Sequence, residues 1–218
     1  VASRRDHYVR LKIYTEQAAE TWKLVRLPVA GQGVRIGDVD ARTVEPDGKV
    51  VMLDRRTVSS ETVSRVHGKK RMQVSFALPA VRPGCIVEYR YHEEQDDVLA
   101  DFEEFPLQLS VPARRVVYSV KPLQIPGWDV RRLTFHVLAK TGTKNIEGYH
   151  VLEAPDMPAF VEEPDMPPAG QLRAVMLLYY TQAQNTTPAK FWTRTGTDRA
   201  RSFRDWCSPD DGLRQTAT

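Results

Sequence analysis

The chain has 218 residues, 41% hydrophobic, 27% charged and 9% aromatic, which are ordinary globular proportions and exclude a disordered, collagen-like or coiled-coil chain. Its formal net charge is only +3, and the basic residues come as scattered pairs such as Arg55-Arg56 and Arg131-Arg132, not as the patch or stripe of a nucleic-acid binder. Two cysteines are too few for a disulfide scaffold, and a chain of this length buries roughly 70–75% of its unfolded surface, so its core needs neither bridge nor metal.

The N-terminus, Val1-Ala2-Ser3-Arg4-Arg5-Asp6, has no apolar signal core and no initiator methionine, so the chain reads as a trimmed or internal piece of a longer protein. No apolar run approaches the ~18 residues of a membrane span. From Tyr8 onward the dominant period is two, the mark of strands with one face buried. Tyr8 to Thr15 sets Val9, Leu11 and Ile13 on one face, and Thr21 to Val29 reads as a second strand. Val39 to Val44 and Lys49 to Leu53 flank Glu45-Pro46-Asp47-Gly48, a tight turn with Asp-Gly at its tip.

Arg71 to Leu78 alternates cleanly, with Met72, Val74, Phe76 and Leu78 on one face. Cys85 to His92 does the same, with Cys85, Val87, Tyr89 and Tyr91 opposed to Glu88, Arg90 and His92. Between them Pro79-Ala80-Val81-Arg82-Pro83-Gly84 carries Pro-Gly turn chemistry, so the pair reads as a hairpin with a wide connection. The acidic stretch Glu93-Glu94-Gln95-Asp96-Asp97 leads to a strand near Phe105-Pro106-Leu107. It lacks the oxygen-ligand spacing of an EF-hand loop, and a solvated loop is the plainer expectation.

Val116 to Val120, Arg132 to Leu138 (with Leu133, Phe135 and Val137 inward) and Tyr149 to Glu153 continue the strands. Pro155 to Pro168 holds five prolines, and proline cannot donate to a ladder, so this segment is expected to cross the sheets as an extended strap. Met157, Phe160 and Met166 are its apolar anchors, with Glu162 and Glu163 between them. Arg173 to Thr181 is the most apolar run and suits a central strand. Pro188 to Trp206 changes period: Trp192, Phe203 and Trp206 fall at helical spacing, and Thr187 before Pro188 makes an N-cap pair. The expectation is therefore a mainly β fold, a two-sheet antiparallel sandwich over residues 1–186, followed by one amphipathic helix and a tail over residues 187–218. The aromatic stripe of that helix must bury against the sandwich or against a neighbouring domain.

Chemistry is sparse. Nucleophilic catalysis needs a nucleophile, a base and a group that orients the base. Cys85 shares a face with Val87 and Tyr89 and reads as a core cysteine, while Cys207 follows the helix; a bridge between the two is open in an oxidising compartment. The five histidines are dispersed, with no metal-ligand spacing. There is no Gly-x-Ser-x-Gly elbow and no phosphate or dinucleotide loop. No catalytic, cofactor-binding or metal-binding residue is assigned, and no cofactor is expected.

Several phrases in order carry a resemblance: Ala41 to Val50, Phe76 to Gly84 with Ile86 to Tyr91, Pro106-Leu107-Gln108, Val111-Pro112 and Ala154 to Pro168. From about Tyr8 to Trp192 the chain resembles the bacterial domain of unknown function 3857, the N-terminal domain that precedes transglutaminase-like domains. The resemblance implies an immunoglobulin-like β-sandwich without catalytic residues of its own. It implies that the thiol enzyme or protease chemistry belongs to a transglutaminase-like domain following in the same parent chain, and that the location is periplasmic or extracellular. This chain would then be a non-enzymatic accessory domain. Phe160, Glu162, Glu163, Trp192, Phe203 and Trp206 are the expected interdomain interface. A carbohydrate- or peptide-binding module is the alternative, with Tyr89, Tyr91, Trp22 and Trp128 as stacking platforms; a hydrolase with an unrecognised site is the other.

Overall fold

The computed structural model describes residues 3–29, 33–66, 69–96, 102–137, 142–181 and 187–207. The chain is mainly β and its sheets are antiparallel. Its contacts divide it into two compact units, Val1–Leu99 and Ala100–Thr218, a division inside the stretch 1–186 that patterning reads as one sandwich. The described strands form four sheets, two in each unit, where two were expected. The physical reason is that the period-two faces converge on two separate clusters of buried side chains, one in each unit.

In unit 1, β1 (Ser3–Lys12) is followed by the short helix α1 (Glu16–Trp22), β2 (Leu24–Val29), β3 (Val34–Val44), β4 (Val50–Met52), β5 (Ser59–Val66), β6 (Lys69–Ala77) and β7 (Ile86–Gln95). One sheet runs β1-β7-β3-β4 and the other β2-β6-β5. The inner positions of the first, Val39, Ala41, Val87 and Tyr89, share one core with Val25, Leu27, Val74 and Phe76 of the second. Phe76 is 1% exposed and meets the Tyr89 ring edge-on at 5.8 Å. Such a side chain contributes roughly 1.5–3 kcal/mol on burial.

Two expectations are corrected here. The stretch from Thr21 is not all strand: Thr15 caps α1, its hydroxyl accepting from the Ala18 N–H at 3.1 Å, and Ala19 is the residue by which the helix enters the core. The cap satisfies a donor that the first turn leaves orphaned. Nor do β6 and β7 form a hairpin; they belong to opposite sheets. Their apolar faces meet across the core, and the connection crosses over through Gly84, at φ +89°, whose N–H donates to the Ile13 carbonyl at 2.8 Å. A positive φ suits glycine, and the Pro46 ring lies 3.1 Å from where a Cβ would sit.

In unit 2, β8 (Phe102–Pro106), β9 (Ala113–Val120), β10 (Asp129–Phe135), β11 (Gly142–Ile146), β12 (Tyr149–Met157) and β13 (Val175–Thr181) precede helix α2 (Pro188–Trp206). The sheets run β10-β13-β8 and β11-β12-β9. Leu107, Leu152, Ala154, Met176 and Leu178 form the centre of the buried cluster. β13 is the central strand that its composition implies. Leu133 and Phe135, expected inward, are each 45% exposed, whereas Val137 packs on the core as expected, together with Val130. β12 extends through Pro155, which pairs with Arg115; among the described residues β11 starts opposite Glu153, so no described strand lies beside Pro155 on that side.

Candidate functional site

The strap after β12 is fastened to its own unit. The Phe160 N–H donates to the Leu109 carbonyl at 2.7 Å. Gln108, which follows β8, donates to the Ala159 carbonyl and accepts from the Ala174 N–H, both at 3.4 Å. Arg173 gathers the side chains: its guanidinium lies 4.7 Å from the centre of the Phe160 ring and 3.2 Å from a Glu162 carboxylate oxygen. Its Nε is buried without a hydrogen-bond partner. Cation and ring attract through the ring quadrupole, so Phe160, Arg173 and Glu162 form one cluster. Glu163 takes no part in it: its N–H points at the Met166 sulfur, 3.1 Å away, and it is exposed.

α2 presents the other part of the expected interface. Trp192 is 67% and Phe203 65% exposed. They are eleven positions apart, close to three full turns, and so share a face. Trp206 ends the helix, but its side chain, like residues 208–218, lies outside the described residues. The Thr187 hydroxyl accepts from the Lys190 N–H at 3.4 Å, as the N-cap pattern predicts.

The cysteines are both free, Cys85 fully buried in the core of unit 1 and Cys207 exposed. Among the described residues no three His, Cys, Asp or Glu side chains converge in a way that could hold a metal ion. His7 stacks on Tyr91 with ring centres 4.4 Å apart, and His92 sits 3.3 Å from Asp38. His67 lies outside the described residues. Of the four aromatics considered as platforms, Tyr89 is buried in the core, Trp22 and Tyr91 pack against it, and Trp128 is 38% exposed. No helix is long and apolar enough to cross a membrane among the described residues.

Sequence patterning missed an ionic network on the outer face of unit 1. Glu88 is 3% exposed and receives the Arg42 guanidinium on one oxygen; Tyr8 at 2.8 Å and Arg10 at 3.1 Å reach the other. These residues lie at one register or the next across β1, β7 and β3. Burial pushes the Glu88 carboxyl up, but the hydrogen bonds from Arg42 and Tyr8 and the charges of Arg42 and Arg10 outweigh it, leaving it below the usual range. Asp40 is likewise lowered, by hydrogen bonds from Arg90 and Arg55. The signal available in the sequence was a strand whose polar face alternates charges, Glu88-x-Arg90-x-His92, but the cross-strand partners depend on register.

A family model, "Domain of Unknown Function with solved-structure structure (DUF3857)", matches residues 2–152. No curated protein matches the chain. Among solved structures, the crystal structure of "a putative protease from Parabacteroides distasonis" is similar in fold, with a TM-score of 0.65 at 12% identity. The similarity covers 81% of this chain but 36% of that one, so the chain spans about a third of the length of its structural neighbour. The family match extends over more than half of the 218 residues, and the chain belongs to the DUF3857 family.

Proposed function

From that membership we propose that the chain is a non-catalytic accessory region of an exported bacterial transglutaminase-like protein, which packs against the catalytic domain and presents substrate to it. The observation that carries this reading is the exposed aromatic face of α2, Trp192 and Phe203. Large apolar side chains presented on one helical face mark an interaction surface. Two things support it further. The fold recurs as roughly a third of a larger protein described as a protease. The four- and three-stranded sheets of unit 1 match the strand numbers of a constant-type immunoglobulin sandwich.

The test has two arms. The chain alone, incubated with fluorescein-labelled casein and with a fluorescent primary amine, is expected to release no peptides and to attach no amine. Turnover that Cys207→Ser abolishes would overturn the accessory reading. In the longer natural protein, Trp192→Ser with Phe203→Ser is expected to lower activity or midpoint stability; an unchanged longer protein would remove α2 from the interface.

A further inference from the structure

Unit 1 is open along one side. β4 covers β3 only from Arg42 to Val44, so Val34 to Val39 form an edge that no described strand pairs. In the opposite sheet β5 is also an edge. Between these edges lies a groove of about 550 Å³ whose floor is apolar: Val29, Val39, Val58, Met72 and Val74. That volume falls within the roughly 300–1,000 Å³ of ligand clefts.

Hydrogen-bond parity shows which backbone groups face the opening. The Leu53 N–H donates to the Ala41 carbonyl, so Ala41 and Thr43 turn toward β4, and Asp40 and Arg42 toward β7. The register shift between Gly37 and Asp40 reverses the alternation. Arg35 and Gly37 then bond β7, and Val34 and Ile36 present their N–H and C=O groups to the open edge. In the other sheet the Leu78 N–H donates to the Lys23 carbonyl, which turns the even residues of β6 toward β2 and the odd ones toward β5. Ser75 and Gln73 therefore engage Ser59 and Glu61, and Ser60 faces the opening. Val34, Ile36 and Ser60 also line the groove with their side chains.

We propose that this groove binds an extended peptide segment of another polypeptide, which adds to unit 1 as a strand between β3 and β5. The chemistry of the walls selects a main chain. Backbone donors and acceptors at strand pitch, unpaired by any described strand, match another strand. A strand added to either edge lies about 4.8 Å from it and sets alternate side chains over the apolar floor. A folded second copy could add at an edge but does not fit into a groove of about 550 Å³. The rim charges are mixed in sign: Arg35 is paired with Asp96, Arg55 with Asp40, and the exposed Asp38 lies 3.3 Å from His92. Inward side chains, every second residue, must be apolar to match Val39, Met72 and Val74, whereas outward ones are unconstrained. Capture is thus tolerant of sequence, which is what substrate presentation requires. The role rests on the accessory reading; the binding itself does not.

The probe is an acetylated, fluorescein-labelled heptapeptide of alternating Val and Thr with a terminal Lys, followed by anisotropy with the whole chain. A twin N-methylated at alternate residues keeps the side chains and loses the donors. Saturable binding is expected, about ten-fold weaker for the twin, the loss of one or two backbone hydrogen bonds. Ser60→Pro, which removes an edge donor the fold does not use, is expected to weaken binding by a similar factor with an unchanged circular dichroism spectrum. Met72→Lys, on the groove floor, serves if the proline variant misfolds. Equal binding of peptide and twin, or no saturable binding, overturns the proposal, as does a concentration-dependent dimer that Ser60→Pro dissolves. Peptide binding to a chain whose longer protein ignores the α2 substitutions would leave the groove standing and remove the accessory reading; the converse would do the opposite.

Discussion

Among the described residues, thirteen hydrophobic side chains lie buried in the core of unit 1 and eight in that of unit 2, although unit 2 spans more of the chain. The outer surfaces differ in the opposite sense. Unit 1 covers its β1-β7-β3 face with Glu88 and Asp40, each held by two arginines. Unit 1 also exposes Tyr14, Met52 and Val63, but unit 2 exposes more large apolar side chains among the described residues, Leu133, Phe135, Val161, Trp192 and Phe203 among them. Paired charge covers one face of unit 1, whereas exposed apolar side chains give unit 2 surface that something else can cover.

The sharpest way to break that contrast is to hollow the better core. Phe76→Ala is expected to cost about 3–5 kcal/mol, because a fully buried ring leaves a cavity its neighbours only partly refill. Denaturant melts followed by hydrogen exchange in β2, β6 and β7 would measure it. A loss near that of an exposed substitution would mean the core of unit 1 is loosely packed and the comparison is wrong.

Next in size is the ionic face. Glu88→Gln leaves Arg10 and Arg42 without their shared carboxylate and is expected to cost ~1–3 kcal/mol, less than a fully buried pair because the arginines are half in solvent. Glu153→Gln, which removes the exposed partner of Arg115 in unit 2, should stay within about 0.5 kcal/mol. The pH dependence follows from the signs. Folded Glu88 and Asp40 titrate below their ordinary range. Their contribution is therefore complete above the unfolded values of about 4–4.5 and is lost as pH falls through the folded ones. Glu88→Gln should flatten the acid limb of a stability–pH curve, and an unaltered limb would show that the network does not hold Glu88 in its charged form.

A smaller effect tests whether the strap belongs to unit 2. Phe160→Ala is expected to destabilise the chain by ~1–2 kcal/mol through lost contact of the ring with Arg173, while the backbone hydrogen bond to the Leu109 carbonyl stays. Glu162→Ala, whose carboxylate is mostly solvated, should do less. Equal and negligible losses would free the strap from unit 2 and return it to the expected interface.

How legible this was depended on whether a feature is local. The period-two faces of Val74-x-Phe76 and Val87-x-Tyr89 marked core residues correctly because side-chain alternation is a property of the single strand. The helix from Pro188 to Trp206 was equally plain, since its period and cap lie within one segment. The assignment of β6 and β7 to different sheets was not, because a crossover and a wide hairpin use the same Pro-Gly chemistry. α1 is seven residues long, too short for its period to stand out from its neighbours, and its cap Thr15 fell at the end of the first expected strand. Glu88 read as a solvated strand residue; only the register that sets Arg10 and Arg42 opposite it shows otherwise. The peptide groove depends on where β4 stops relative to β3, which no periodicity records.

The smallest effect on the chain itself is expected where the contrast is strongest, on α2. Trp192 and Phe203 are about two-thirds exposed, so replacing both with serine forfeits little burial in this chain and should leave its midpoint within about 0.5 kcal/mol. Serine lowers helix propensity only slightly, so circular dichroism should keep the α2 signal. If a transglutaminase-like domain packs on this face, the same two substitutions in the longer protein remove aromatic anchors from a desolvated contact, the class of residue that dominates interface energetics. The catalytic part would then melt earlier or turn over more slowly while unit 1 melts as before. A double variant that destabilises the short chain by more than about 2 kcal/mol would show instead that α2 is integral to unit 2. The exposed face would then be a product of that unit's small core, and the partner surface would have to be sought among Leu133, Phe135 and Val161.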